Sequence, residues 1–260
     1  MTTVVCLNFL TNFILQKQMN VVNNFFGLTD VGRVRKQNQD FLFMNPDDGL
    51  FIIADGMGGH NGGAVASKMA VEHIVRLFKA AVDLNDTSIK DFLFSTIRSA
   101  NTEIRAKAFS DHNLANMGTT IAIALIRKSI LYACHVGDSR IYVINQTEIR
   151  QVGTDHSVIY QQVIDGELTR EEARQSRIKN ILTQAIGSRD QLVPEFNEVP
   201  LMPGDKILLS SDGLWNLLPD VEIQTLALSD ENPEKVCDLL LDQAMNAGGD
   251  DNISVILFKN

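Results

Sequence analysis

Residues 51–63 read Phe-Ile-Ile-Ala-Asp-Gly-Met-Gly-Gly-His-Asn-Gly-Gly, a hydrophobic run that delivers a carboxylate and then five glycines. The continuous apolar stretch Phe51, Ile52, Ile53 and Ala54 reads as a strand covered on both faces, with Asp55 where that strand should end. Glycines 56, 58, 59, 62 and 63 permit positive φ and a close approach of the backbone to a ligand, so main-chain groups can line a site together with Asp55. A helix is predicted to begin near Ala64. Because no Gly-Lys-Ser/Thr follows, the stretch does not match a nucleotide-binding phosphate loop. Taken alone, a strand followed by Asp-Gly is most often a turn whose carboxylate holds a backbone amide.

Here the pattern recurs. Asp40, Asp55, Asp138, Asp212 and Asp251 each stand at the edge of an apolar strand, most of them beside Gly or Asn. Five such residues, drawn from across the chain, suggest strands that carry carboxylates to a common edge. Crowded carboxylates repel, and without a cation at least one would keep its proton. All-oxygen ligation by Asp, backbone carbonyl and water selects Mg²⁺ or Mn²⁺ over zinc. A pair of such ions can clamp a phosphoryl oxygen.

The remaining elements follow from periodicity and punctuation. Strands are predicted over residues 20–29, 41–44, 119–126, 130–136, 139–144, 192–201, 206–211 and 253–258. Residues 64–81 and 88–108 keep apolar residues on one helical face and read as two long amphipathic helices. Between residues 119 and 144 the turns are short and polar, with no helical crossover, which predicts an antiparallel meander. Residues 154–190 break the pattern with a short helix at 158–164 and a capping box from Thr169 to Glu172. Their polar make-up reads as a helical flap over a site or as a solvated loop. Asn232 and Pro233 open a last helix that stops at Gly248 and Gly249.

At 260 residues the chain suits one medium domain that needs no disulfides. Its net charge of -9 argues against partners held by charge alone, nucleic acid or an anionic membrane. Cys6, Cys134 and Cys237 lie far apart and read as reduced thiols of a cytoplasmic protein. Residues 1–18 lack a basic start and mix apolar with polar residues, so neither a signal peptide nor a spanning helix is expected. They read as an extension, untranslated if Met19 is the start, disordered, or able to meet a partner or a membrane surface. The folded domain is taken as 19–260.

Six motifs occur in the order found in the metal-dependent type 2C protein phosphatases: Asn38-Gln-Asp40, Asp55-Gly-Met-Gly-Gly-His60, Met117-Gly-Thr-Thr120, Val136-Gly-Asp-Ser-Arg140, Ser211-Asp-Gly213 and Asp251-Asn-Ile-Ser254. The chain resembles a bacterial member of that family from Met19 to Asn260. The resemblance implies an α+β fold, a four-layer αββα sandwich with two central, mainly antiparallel sheets and the flap beside the site. It implies that Asp55 bridges two Mn²⁺ or Mg²⁺ ions, that the Gly56 carbonyl binds one, and that Asp212 and Asp251 complete their shells. Asp40 would act through water, Asp138 would join Asp212 at a possible third metal, and Arg35 would hold the substrate phosphate. The implied reaction is hydrolysis of phosphoserine and phosphothreonine in proteins by a metal-bridging hydroxide. The implied setting is signalling in a bacterial cytoplasm, opposed to a Ser/Thr kinase that is itself among the substrates, with the protein a monomer.

Three departures stand out. Met57 replaces the histidine that many eukaryotic relatives carry after Asp-Gly, leaving His60 or water as proton donor. Gln39 replaces a glutamate often found before the Asp40 position. Gln175-Ser176-Arg177 stands where bacterial relatives often have a His-Pro segment. Asp250 reads as a solvated neighbour or a support to the ligands, Arg33 and Arg140 as structural or surface cations, His73 as a packed or half-exposed helix residue, and Trp215 as packing beneath the site. His112, His135 and His156 read as isolated histidines. Two other classes remain in view: a non-catalytic phosphoprotein-sensing module of the same fold, which would have lost metal ligands, and a two-metal nuclease, which the acidic balance disfavours.

Overall fold

Alternate residues along the strands face two different apolar environments, and this alternation builds the layers. In β3 (Leu50–Met57), Leu50, Ile52 and Ala54 pack toward two long helices, α1 (Gly62–Ala80) and α2 (Ile89–Ser110), while Phe51 and Ile53 point into a second core between the sheets. In β11 (Ile253–Lys259), Ile256 and Phe258 enter that same inter-sheet core, whereas Ile253, Val255 and Leu257 face a third core beneath the carboxy-terminal helices. Small residues Ala122, Ala124 and Ala133 share the inter-sheet layer, where the Phe51 and Phe258 rings stack with centroids 4.1 Å apart.

The computed structural model describes residues 22, 24–59, 61–81, 88–169, 172–173, 176 and 178–260. The expected extension at 1–18, His60, Gln175 and Arg177 lie outside them. One sheet has the order β2 (Asp40–Asn45), β3, β5 (Ile121–Arg127), β6 (Ile130–Val136) and β9 (Glu195–Pro200), with the short β4 (Gly118–Thr119) on β3. The other runs β1 (Phe25–Asp30), β11, β10 (Lys206–Ser210), β7 (Arg140–Ile144) and β8 (Ile149–Gln151). All their ladders are antiparallel. α1 and α2 cover the first sheet; α4 (Asp212–Trp215), α5 (Asp220–Ala227) and α6 (Pro233–Asn246) cover the second. The result is the expected αββα sandwich. α3 (Val158–Ile164) belongs to the flap, where Thr169 and Glu172 exchange the reciprocal bonds of a capping box.

The meander is only half right. β5 and β6 pair as a hairpin, but β6 and β7 belong to different sheets, and residues 137–139 carry the chain from one to the other. Gly137 makes the turn at φ 100°. Each strand alternates apolar residues on both faces, so neither pattern specifies which sheet it joins. Asp138 therefore sits at an inter-sheet crossing, not at a hairpin.

Candidate metal centre

Asp40 and Asp55 are direct partners across the β2–β3 ladder. The strand does not end at Asp55: it continues through Gly56 and Met57 and changes partner from β5 to β4. Thr120 fills the gap at the changeover. Its hydroxyl accepts a hydrogen bond from the Asp55 amide at 2.9 Å, and the Thr120 amide and Thr119 hydroxyl each donate to the Asp55 carbonyl at 2.8 Å. Two of the glycines are explained by space more than by φ. A Cβ on Gly56 would lie 2.1 Å from the Gly63 carbonyl oxygen, so the first turn of α1 rests directly on the strand backbone.

The second sheet clamps Asp40. Ser211, at the end of β10, and Ser254, in β11, donate to Asp40 Oδ2 at 2.8 and 2.6 Å. Asp212 opens α4 and accepts from Asn216 Nδ2 at 3.0 Å on Oδ2. Asp138 is buried on the crossing strand link, and its carbonyl accepts from Trp215 Nε1 at 3.1 Å. Asp251 stands in the turn before β11 and accepts from Arg35 Nη2 at 2.7 Å. That bond holds the exposed Arg35 guanidinium above its usual range. The loop carrying Arg35 is tied down by Asn252, whose side chain accepts from the Gln39 amide at 2.8 Å and donates to the Val31 and Gln37 carbonyls. Thus Asp40, Asp55, Asp138, Asp212, Asp251, Gly56 and Arg35 gather at one end of the sandwich.

Their charges are in conflict. Burial, opposed by the Ser254 and Ser211 donors, pushes the Asp40 carboxyl up to about 6. Burial, then Asp251 and Asp40, push Asp212 to about 7. Asp55 and Asp138 lie well above the usual carboxylate range, first through burial and then through their acidic neighbours. Asp40 Oδ1 and Asp212 Oδ1 are buried with no hydrogen-bond partner among the described residues. Orphaned carboxylate oxygens inside an all-oxygen set fit a hard divalent cation of the Mg²⁺ or Mn²⁺ kind.

His135 and His156 are not isolated. With Glu195 they bring three ligand-type atoms within 4.8 Å of one another. One nitrogen of each ring and the carboxylate are already engaged: His135 Nε2 bonds the Thr154 carbonyl, His156 Nδ1 accepts from the Gly137 amide, and Glu195 accepts from the Thr154 amide and hydroxyl. The two rings stack at 23° with centroids 5.0 Å apart. Burial, then His135, lower His156 to about 4. The group links the base of the flap to the β6–β7 crossing. Arg140 is the structural cation expected, bidentate to Asp155 and 3.5 Å above the Trp215 ring centre. Asp250 is exposed.

Thr120, Ser211, Asn252 and Ser254 stand inside the sequence motifs but were given no role there, and Asn216 was not named. Their signal was present: hydroxyl and amide side chains between apolar strand positions need buried partners.

A family model described as protein phosphatase 2C matches residues 33–247. The serine/threonine phosphatase stp of Listeria monocytogenes is 37% identical over 235 residues, spanning 89% of this chain and 93% of that protein. The crystal structure of serine/threonine phosphatase Stp1 from Staphylococcus aureus superposes with a TM-score of 0.86 at 32% identity, covering 91% of this chain and 94% of that one. The catalytic domain of the serine threonine protein phosphatase PstP, solved with two manganese ions, gives 0.80 at 28% identity over 90% and 96% of the two chains. The family model and these named relatives define the class as a protein phosphatase. The chain belongs to the protein phosphatase 2C family and is an enzyme of that metal-dependent class.

Proposed function

We propose that this protein hydrolyses phosphoserine and phosphothreonine in other proteins, using two Mn²⁺ or Mg²⁺ ions. Asp55, the Gly56 carbonyl, Asp212 and Asp251 would hold them, with Asp40 at one remove through water and Asp138 joining Asp212 at a third position. The observation that carries this reading is the pair of buried, unpartnered oxygens on Asp40 and Asp212 inside a cluster of destabilised carboxylates. When bound, the ions neutralise those carboxylates and make water a nucleophile near neutral pH.

The chain's own residues do the rest. Ser211 and Ser254 hold Asp40 by one oxygen and leave the other turned to the centre. Arg35, at the rim, offers a planar fork to two phosphate oxygens. Asn252 keeps the Arg35 loop against the body. The proton for the leaving serine or threonine oxygen comes from water or from His60, which rests on the sequence alone. The same reading makes the protein a cytoplasmic monomer that opposes a Ser/Thr kinase. Among the described residues no helix is long and apolar enough to cross a membrane.

The test is phosphate release from a phosphothreonine peptide as Mn²⁺ is titrated, with a chelator control and Asp251→Ala beside the wild type. Release should depend on Mn²⁺ and fall in the variant by more than the roughly 10–100-fold typical of residues that only support a metal ligand. A folded, Mn²⁺-binding protein that releases nothing from any phosphopeptide would put the phosphoprotein-sensing reading first.

A further inference from the structure

A cavity of about 290 Å³ lies beside the carboxylate cluster, between the flap and the body. Ile159, Tyr160 and Val163 of α3 form one wall, and Trp215, Asn216 and Pro219 the other. Its size falls at the bottom of the range of about 300–1,000 Å³ for small-molecule sites, which suits one or two side chains better than a nucleotide or cofactor. On its floor Arg140 and Asp155 neutralise each other through a bidentate pair. The two other charged lining residues, Lys179 and Asp220, are opposite in sign, so the interior favours an uncharged occupant. Ile164 and Val221, each next in sequence to a lining residue, are 56% and 67% exposed.

The cavity shares its wall with the catalytic centre. Asn216 lines it and also bonds Asp212 Oδ2 at 3.0 Å; Trp215 lines it and also bonds the Asp138 carbonyl. Arg35, in contrast, pairs with Asp251. Asp212 also acts on the Arg35 charge, so a phosphate that meets Arg35 approaches the Asp212 flank, which Asn216 joins to the cavity. Successive residues of an extended peptide advance by about 3.3 Å and point alternately to opposite sides. A side chain close to the phosphorylated position then faces the opening.

We propose that this cavity is a substrate subsite that receives one apolar side chain, of the size of Leu, Ile, Met or Val, flanking the phosphorylated residue. The proposal rests on the phosphatase reading above. It makes the flap helix a selector of sequence context, with Val163 and Ile159 as the residues that feel the incoming side chain and Trp215 as its far wall.

The experiment is a panel of phosphothreonine peptides in which each position on either side of the phosphorylated residue is in turn Gly, Leu or Asp, assayed with the full Mn²⁺-loaded chain. The quantity read is the ratio of kcat/KM for Leu over Gly at each position, taken within one protein so that overall activity cancels. One position should favour Leu by about tenfold or more, and Asp there should be the poorest. Val163→Trp, which fills the cavity, should bring that ratio close to one. A second readout needs no turnover. Trp215 is the chain's sole tryptophan, so a tryptophan-free peptide carrying a non-hydrolysable phosphonate should shift its emission when Leu occupies the selected position and not when Gly does. A flat panel, a Leu preference that survives Val163→Trp, or identical emission with both peptides overturns the subsite. If p-nitrophenyl phosphate is cleaved while the panel is flat, the subsite fails and the phosphatase reading stands. If neither p-nitrophenyl phosphate nor any peptide is cleaved, both fail.

Discussion

Arg140 brings a full charge into the interior, with 13% of its side chain exposed against 3% for Asp155. A buried ion pair of this kind adds little over an apolar pair of the same volume, but removing one partner strands the other. Arg140→Met should therefore lower stability in urea by about 3–5 kcal/mol, and adding Asp155→Leu should restore a large part of it. A loss below about 1 kcal/mol in the single variant would mean that Asp155 finds water or another donor. At this scale the sequence was most informative about acids and least about their supports. Asp40, Asp55, Asp138, Asp212 and Asp251 could be named because a carboxylate at the edge of an apolar strand, most often beside Gly or Asn, is conspicuous. The hydroxyls of Ser211 and Ser254 could not be matched to Asp40, because their separations of 171 and 214 residues are closed only when the two sheets stack.

Between elements, the closest approach is that of β3 to the first turn of α1. The Gly56→Ala Cβ would meet the Gly63 carbonyl oxygen at 2.1 Å, a backbone contact that no rotamer change can relieve. At Gly59 an added Cβ would meet nothing within 4 Å. Chemical denaturation should find Gly56→Ala destabilised by at least the roughly 1–3 kcal/mol of core overpacking, with Gly59→Ala within about 0.5 kcal/mol of wild type. Equal effects at the two positions would dismiss the close-packing account. The glycine run was visible in the sequence, but chain order gives no measure of which glycines meet backbone. Helix α3 was read at its observed limits, since Asp165 and Gly166 stop it locally. The β6–β7 crossing was misread because its decisive feature is the neighbour each strand finds: β10 sits beside β7, and β5 and β9 beside β6.

For the molecule as a whole, the acidic end opposes the stability of the sandwich when no cation is bound. In the unfolded chain Asp40 and Asp212 lose their protons near the ordinary aspartate value of 3.8, whereas in the fold they keep them to about 6 and about 7. The native state then binds more protons than the unfolded state between about pH 4 and pH 7, so this contribution to stability falls as pH rises through that window. Asp55 and Asp138 act in the same direction. Divalent cations remove the penalty and are displaced by protons, so the rise in Tm on adding Mn²⁺ should be larger at pH 7.5 than at pH 5.5. A gain that is equal at both values, or larger at the lower one, would place Mn²⁺ binding elsewhere. The sequence by itself determined the apolar alternation, the positions of α1, α2, α3 and α6, and the recurrence of Asp at strand edges, because each of these is a pattern of near neighbours. Only the tertiary structure decided which sheet β7 joins, which hydroxyls and amides hold the acids, and that the flap leaves a cavity against Trp215. Those depend on contacts between segments far apart in the chain, which no local periodicity encodes.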